Sequence, residues 1–127
     1  MDVVLSNTAG VPIYVQIEDQ IKAAILRGEV SEGEALPSIR ALARDLRVSV
    51  ITTTRAYAEL VADGLVANVP GKGYFVLPRD AELVREQVLR EVETYFADGV
   101  AAARLADIDD DEIRTILELA LKPGEDI

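Results

Sequence analysis

Neither cysteine nor histidine occurs in these 127 residues. The first absence rules out disulfides and thiol nucleophiles. The second removes the commonest general base, and the two together remove most transition-metal sites. No apolar run is long enough to span a bilayer. The opening MDVVLSNTAG lacks the basic start and apolar core of a signal peptide. No P-loop and no GxGxxG pattern is present. Asp107, Asp109, Asp110 and Asp111 lack the spacing and the glycine of an EF-hand. They read instead as carboxylates at a helix N-terminus, where the macrodipole favours negative charge. The expectation is a cytoplasmic protein that is not an enzyme, with no catalytic residue, no metal site and no cofactor.

Half of the residues are hydrophobic, enough for one compact domain with a small appendage. The net charge is −10, and its distribution is uneven. Between Leu36 and Val76 five basic residues (Arg40, Arg44, Arg47, Arg55 and Lys72) face three acids (Asp45, Glu59 and Asp63), a local excess of +2. Residues 1–35 carry two basic against six acidic residues, and residues 77–127 carry six against fourteen. Positive charge is thus concentrated in one segment. An acidic remainder repels non-specific polyanion contact while a local basic patch still binds phosphate; it also keeps a protein soluble.

That central segment organises the chain. Ser38 precedes apolar residues at Ile39, Leu42, Ala43 and Leu46, the spacing of one buried helical face. Serine is a good N-cap because its hydroxyl accepts from a backbone N–H two or three residues on. Arg47-Val48 makes a tight turn. Ser49 then caps a second helix, with Thr53, Ala56, Tyr57 and Leu60 inward and Val50, Ile51, Thr54, Arg55 and Ala58 on the other side. Gly64 suits the left-handed position that closes it. Leu65–Val69 and Tyr74–Leu77 are strand-like, and Pro70-Gly71-Lys72-Gly73 between them is turn-forming. Two short helices followed by a hairpin with a basic tip make a winged helix-turn-helix.

Around this segment, residues 1–10 read as a loose arm. Pro12 fits the first turn of a helix that runs to about Arg27, with Ile13, Ile17, Ile21, Ala24 and Ile25 on one face and Gly28 as its stop. Tyr14 and Gln16 on it read as structural. Residues 28–36 read as a solvated loop. A long helix starts near Ala81 and continues through Gly99 to about Leu105, although an internal glycine costs about 1 kcal/mol relative to alanine. Asp109 and Glu112 form an Asp/Glu capping box for a last helix over about 110–121, which Pro123-Gly124 ends. The predicted domains are 1–10, an arm; 11–78, the winged helix; and 79–127, a two-helix region with more apolar surface than a helical hairpin hides in itself. That surface is satisfied by a homodimer, or by packing back on the winged helix.

The run Pro37-Ser38-x-Arg40-x-Leu42-Ala43, Val48-Ser49, Thr52, Ala56-Tyr57, Leu60, Asp63-Gly64-Leu65 and Gly71-Lys72-Gly73-Tyr74-Phe75-Val76 resembles the DNA-binding domain of the GntR family of bacterial transcription regulators. Pro12-Ile13-Tyr14-x-Gln16-Ile17 is similar to the family's first helix, and the short tail resembles that of its YtrA-type branch. The resemblance implies a mainly α fold with a small β-hairpin. It further implies a dimeric, sequence-specific regulator, a repressor in expectation, on a near-palindromic operator in double-stranded DNA. Regulators in that branch often control operons for ATP-binding-cassette transporters. An effector ligand that moved the tail helices would change the spacing of the half-sites, but no pocket can be read from the sequence.

The expected DNA contacts follow from residue chemistry. Ser38 offers a hydroxyl and helix N-terminal N–H groups to a phosphate. The resemblance implies that Arg40 contacts DNA; the bland alternative is a surface ion pair with Asp45. Ser49, Val50, Ile51 and Thr52 open the recognition helix, whose N-terminal residues face base edges. Hydroxyls there reach phosphates or bases, and the Val and Ile methyls reach a thymine methyl. Thr54 and Arg55 lie on the outer side, Arg55 suited to phosphate, while Thr53 turns inward and bonds back to a helix carbonyl. Gly71, Lys72 and Gly73 form the wing tip, where Lys72 reaches a phosphate or the minor groove. Many family members carry an arginine in place of Val50, so that guanine contact does not transfer. The competing reading is a winged-helix protein-interaction module without specific DNA readout, in which Arg40 and Lys72 are dispensable.

Overall fold

The computed structural model describes residues 1–7 and 10–122. The chain divides into two compact units, Met1–Arg79 and Asp80–Ile127.

The first unit is built on α1 (Ile13–Leu26), α2 (Ile39–Leu46) and α3 (Val50–Ala62), followed by the antiparallel hairpin β1 (Val66–Val69) and β2 (Gly73–Val76). Ile17, Ile21 and Ile25 of α1 pack with Leu42 of α2, Tyr57 and Leu60 of α3, and Val66 and Val76 of the hairpin. Each such aliphatic side chain contributes about 1.5–3 kcal/mol by leaving water. The hairpin register pairs Val66 with Val76 and Val69 with Gly73, which turns both end valines, Val66 and Val76, onto the core. At its tip the Lys72 N–H donates to the Val69 carbonyl at 2.9 Å, and Gly71 holds a φ of +76°. Proline before such a glycine matches a type II turn.

Three expectations change. Residues 1–7 are not loose. Gln20 accepts from the Val4 N–H at 2.8 Å and donates to the Val4 carbonyl at 2.7 Å. Gln16 does the same to Ser6, at 2.8 Å each way, and also donates to the Val11 carbonyl. Two amides one helical turn apart thus serve alternate residues of an extended segment, while Val3 and Leu5 pack against the core. The 28–36 loop is not simply solvated either. Val30 and Leu36 are buried, and Gly33 to Leu36 pair with β2 through the Leu36 N–H to the Tyr74 carbonyl (2.8 Å) and the Val76 N–H to the Glu34 carbonyl (2.9 Å). Finally, Pro12 sits just before α1 rather than within its first turn. Its carbonyl accepts from the Val15 and Gln16 N–H groups, both at 3.1 Å.

In the second unit α4 (Ala81–Leu105) continues through Gly99. Asp80 caps it, its carboxylate accepting from the Glu82 and Leu83 N–H groups. Asp109 caps α5 (Asp110–Leu121), accepting from the Glu112 N–H at 2.9 Å. The stop expected at Pro123-Gly124 lies outside the described residues. Within this unit Leu83, Leu89, Tyr95, Phe96, Leu119 and Leu121 are exposed.

One closure recurs at four helix ends. The N–H just after a left-handed residue bonds back to the carbonyl five residues earlier: Glu29 to Ala24, Val48 to Ala43, Leu65 to Leu60 and Ile108 to Ala103. The left-handed residue this needs is Gly28 after α1 and Gly64 after α3, but Arg47 (φ 57°) after α2 and Asp107 (φ 54°) after α4.

Candidate nucleic-acid interface

Ser38 and Ser49 occupy the same position before α2 and α3, both in extended backbone. The Ser38 hydroxyl accepts from the Ala41 N–H at 3.1 Å, and the Ser49 hydroxyl accepts from the Thr52 N–H at 3.0 Å. Ser49 and Thr52 also share a hydroxyl–hydroxyl bond of 2.8 Å, which leaves one proton of the pair for an outside acceptor.

α3 has two clearly different faces. Thr53, Ala56, Tyr57 and Leu60 are buried, and the Thr53 hydroxyl donates to the Ser49 carbonyl at 3.2 Å. The Tyr57 hydroxyl crosses to α2 and donates to the Pro37 carbonyl at 2.7 Å. Its ring meets Tyr74 of β2 edge-on, with centroids 5.0 Å apart. Burial pushes ionisation of this hydroxyl above its ordinary value of 10. One side chain therefore fixes α3 to the start of α2 and to the wing.

The opposite face of α3 is open. Val50 is 47% exposed and Ile51 82% exposed. An isoleucine so open at the start of a helix whose other side is core is available for contact but contributes little to folding. Thr54 is exposed too, with its hydroxyl donating to the Val50 carbonyl at 2.7 Å, so that its lone pairs face outward as acceptors. Arg40 on α2 is exposed, and among the described residues it makes no ion pair; the pairing with Asp45 is made by Arg44, at 3.8 Å. At the wing, Gly71 and Lys72 are exposed and Gly73 is half-buried with a φ of +119°.

Arg55 is the residue whose surroundings the sequence did not foretell. Its guanidinium carbon lies 3.8 Å from the centroid of the Tyr14 ring on α1. The two positions are far apart in the chain, and no local pattern links them. At the other end of α3, Glu18 of α1 meets Asp63 and Glu59. Burial first, then Asp63, Glu59 and Asp19, raises the Glu18 carboxyl from 4.5 to about 7. Among the described residues no group of His, Cys, Asp or Glu is arranged to hold a metal ion, and no helix is long and apolar enough to cross a membrane.

Residues 13–76 match the family model described as "Bacterial regulatory proteins, gntR family". The uncharacterized HTH-type transcriptional regulator YhcF of Bacillus subtilis is 38% identical over 84 residues, covering 64% of this chain and 69% of its own length. The HTH-type transcriptional repressor YtrA of the same organism is 37% identical over 65 residues, covering 51% of this chain and 50% of its own. Other relatives are much longer: the chain spans 18% of the uncharacterized HTH-type transcriptional regulator YdeL of B. subtilis, at 33% identity. Among solved structures, a transcriptional antiterminator from Listeria monocytogenes superposes with a TM-score of 0.74 at 25% identity, covering 100% of this chain and 97% of its own. YtrA from Sulfolobus acidocaldarius, a GntR-family transcription factor, gives 0.58 at 35% identity, covering 72% and 97%. AraR(DBD) in complex with operator ORX1 gives 0.54 at 28% identity, covering 60% and 95%.

Proposed function

The chain belongs to the GntR family of bacterial regulatory proteins, and from that membership we propose that it is a sequence-specific DNA-binding repressor acting as a homodimer in the cytoplasm. The observation that carries this reading is the open face of α3, where Val50 and Ile51 stand exposed beyond the Ser49 cap of a helix otherwise locked into the core. A helix presented in this way enters a major groove with its N-terminal residues on base edges.

The proposed contacts divide by chemistry. Val50 and Ile51 supply apolar contact to thymine methyls, and Ser49, Thr52 and Thr54 supply hydroxyls to bases or phosphates. Ser38, Arg40 and Arg55 grip the backbone or, for Arg40, a guanine edge. Lys72, carried by Gly71 and Gly73, reaches a phosphate or the minor groove beside the reader. Val50 cannot make the guanine contact of an arginine at that place, so recognition at that step is apolar.

Residues 1–10 serve as an arm, residues 11–78 as the DNA-binding domain, and residues 79–127 as the dimerisation region. The exposed Leu83, Leu89, Tyr95 and Phe96 of α4 support the last assignment, since unpartnered apolar surface on this scale calls for a partner. Two copies would then address half-sites about 34 Å apart. An effector acting on α4 and α5 would shift the balance between DNA-competent and incompetent dimers. The regulated genes would include a transporter operon.

The test is a binding titration on the region upstream of the protein's own gene, at two salt concentrations, against unrelated DNA. Tight, salt-sensitive preference for the upstream region is expected, and Arg40→Ala should weaken it by about 1–3 kcal/mol. Operator affinity unchanged by Arg40→Ala would remove Arg40 from the interface. Removing residues 80–127 should leave a monomer with weak half-site binding; a truncated chain that still dimerises would refute the role given to the tail.

A further inference from the structure

We propose that Tyr14 is a positioning residue for DNA binding: its ring is the platform that holds the Arg55 guanidinium with its N–H edges turned to a backbone phosphate beside the recognition helix. This rests on the reading that the open face of α3 meets DNA.

Arg55 lies one helical turn beyond Ile51 on that open face. Whatever α3 addresses with Ile51, Arg55 addresses one turn further along, where a helix in a groove passes its flanking strand. Among the described residues no carboxylate pairs with Arg55, although Glu59 stands one turn further along the same helix. The guanidinium instead lies 3.8 Å from the Tyr14 ring centroid. A ring in that position covers one face of a planar group whose five N–H donors point outward in the plane. Held over the ring by its charge, the guanidinium is restrained in place while N–H donors remain for an outside acceptor. Tyr14 is itself held, being half-buried and packed against the core as the second residue of α1. A side chain ordered before contact gives up less rotamer freedom on making it. α1 thus takes part in recognition through a residue of α3, at a position where neither residue alone announces a role.

The experiment uses the full chain and a duplex enriched by it from a random-sequence pool. Dissociation constants are measured between about 50 and 200 mM salt for Tyr14→Phe, Tyr14→Leu, Arg55→Ala and the Tyr14→Leu/Arg55→Ala double variant. Arg55→Ala should reduce the salt slope by about 1, as loss of one phosphate contact does. Tyr14→Leu, which keeps apolar bulk without a π face, should weaken binding about two- to fivefold. Tyr14→Phe should bind like the unmodified chain. In the Arg55→Ala background Tyr14→Leu should add nothing. Equal losses from Tyr14→Leu with and without Arg55 would overturn the proposal, since Tyr14 would then act through the packing of α1. A duplex that is enriched and bound while Tyr14→Leu changes nothing would overturn this assignment alone. Failure of any duplex to enrich would overturn the DNA reading and this one with it.

Discussion

Replacing Tyr57 by phenylalanine removes a single oxygen and leaves the ring against Tyr74. What is lost is the 2.7 Å bond to the Pro37 carbonyl, which ties α3 to the segment that opens α2. A hydrogen bond of this kind contributes about 0.5–1.5 kcal/mol net, and an acceptor left without its donor costs about 1–3 kcal/mol where water cannot replace it. Pro37 is exposed, so water re-solvates part of its carbonyl, and a loss of about 1–2 kcal/mol is expected. For a unit of this size each kcal/mol lowers Tm by about 4–8 °C. Thermal melts of the full chain at one fixed concentration should therefore show Tyr57→Phe melting roughly 5–15 °C below the unmodified protein. Tyr74→Phe is the control, because among the described residues the Tyr74 hydroxyl makes no hydrogen bond, and its ring remains to meet Tyr57. Equal melting of the two variants would refute the idea that the Tyr57 hydroxyl, and not merely its ring, holds the helix-turn-helix to its scaffold.

Glu18 gives a pH-dependent test. Its folded value of about 7 lies above the ordinary 4.5, so its protonated form is favoured in the folded chain. That contribution is complete below pH 4.5 and is lost as pH rises through 7. Because Glu18 is only partly buried and its charge is screened, Glu18→Gln should raise stability at pH 8 by only about 1 kcal/mol or less, and should do nothing at pH 4. A gain of the same size at both pH values would remove the charge explanation. Arg47→Gly relieves a left-handed residue of its Cβ and should change stability by between zero and about +1 kcal/mol in urea melts. A clear loss would mean that the arginine side chain contributes more than its backbone costs.

Much of this architecture is legible because the signals are local. The Ser38, Ser49 and Asp109 caps, the buried face of α3, the glycine stops at Gly28 and Gly64, and the Pro-Gly tip of the wing are all set by residues within a turn of one another. Continuation of α4 through Gly99 was legible too, since helix propensity on both sides outweighs one glycine. The unforeseen contacts join distant positions. Gln16 and Gln20 capture Ser6 and Val4, Leu36 reaches Tyr74, and Arg55 lies on Tyr14. Nothing in the spacing of an isolated glutamine or tyrosine tells it which backbone or cation it will meet. The left-handed closures at Arg47 and Asp107 were hidden for another reason. Arginine gives no hint of a positive φ and aspartate only a weak one, so the backbone is what reveals the turn's requirement.

The amide grip on the first residues sets unequal mutational tolerance along a segment only a few residues long. Gln16 and Gln20 hold Val4 and Ser6 through main-chain atoms, and at Val4, whose side chain is exposed, almost any residue is acceptable. Proline is the exception, because it removes the N–H that each glutamine needs. Positions 3 and 5 have the opposite rule: their side chains must stay apolar to pack on the core. A substitution scan over positions 3 to 5 should read strict, permissive, strict, the alternation of a β-strand, although the hydrogen bonds that hold the segment come from glutamine side chains on a helix.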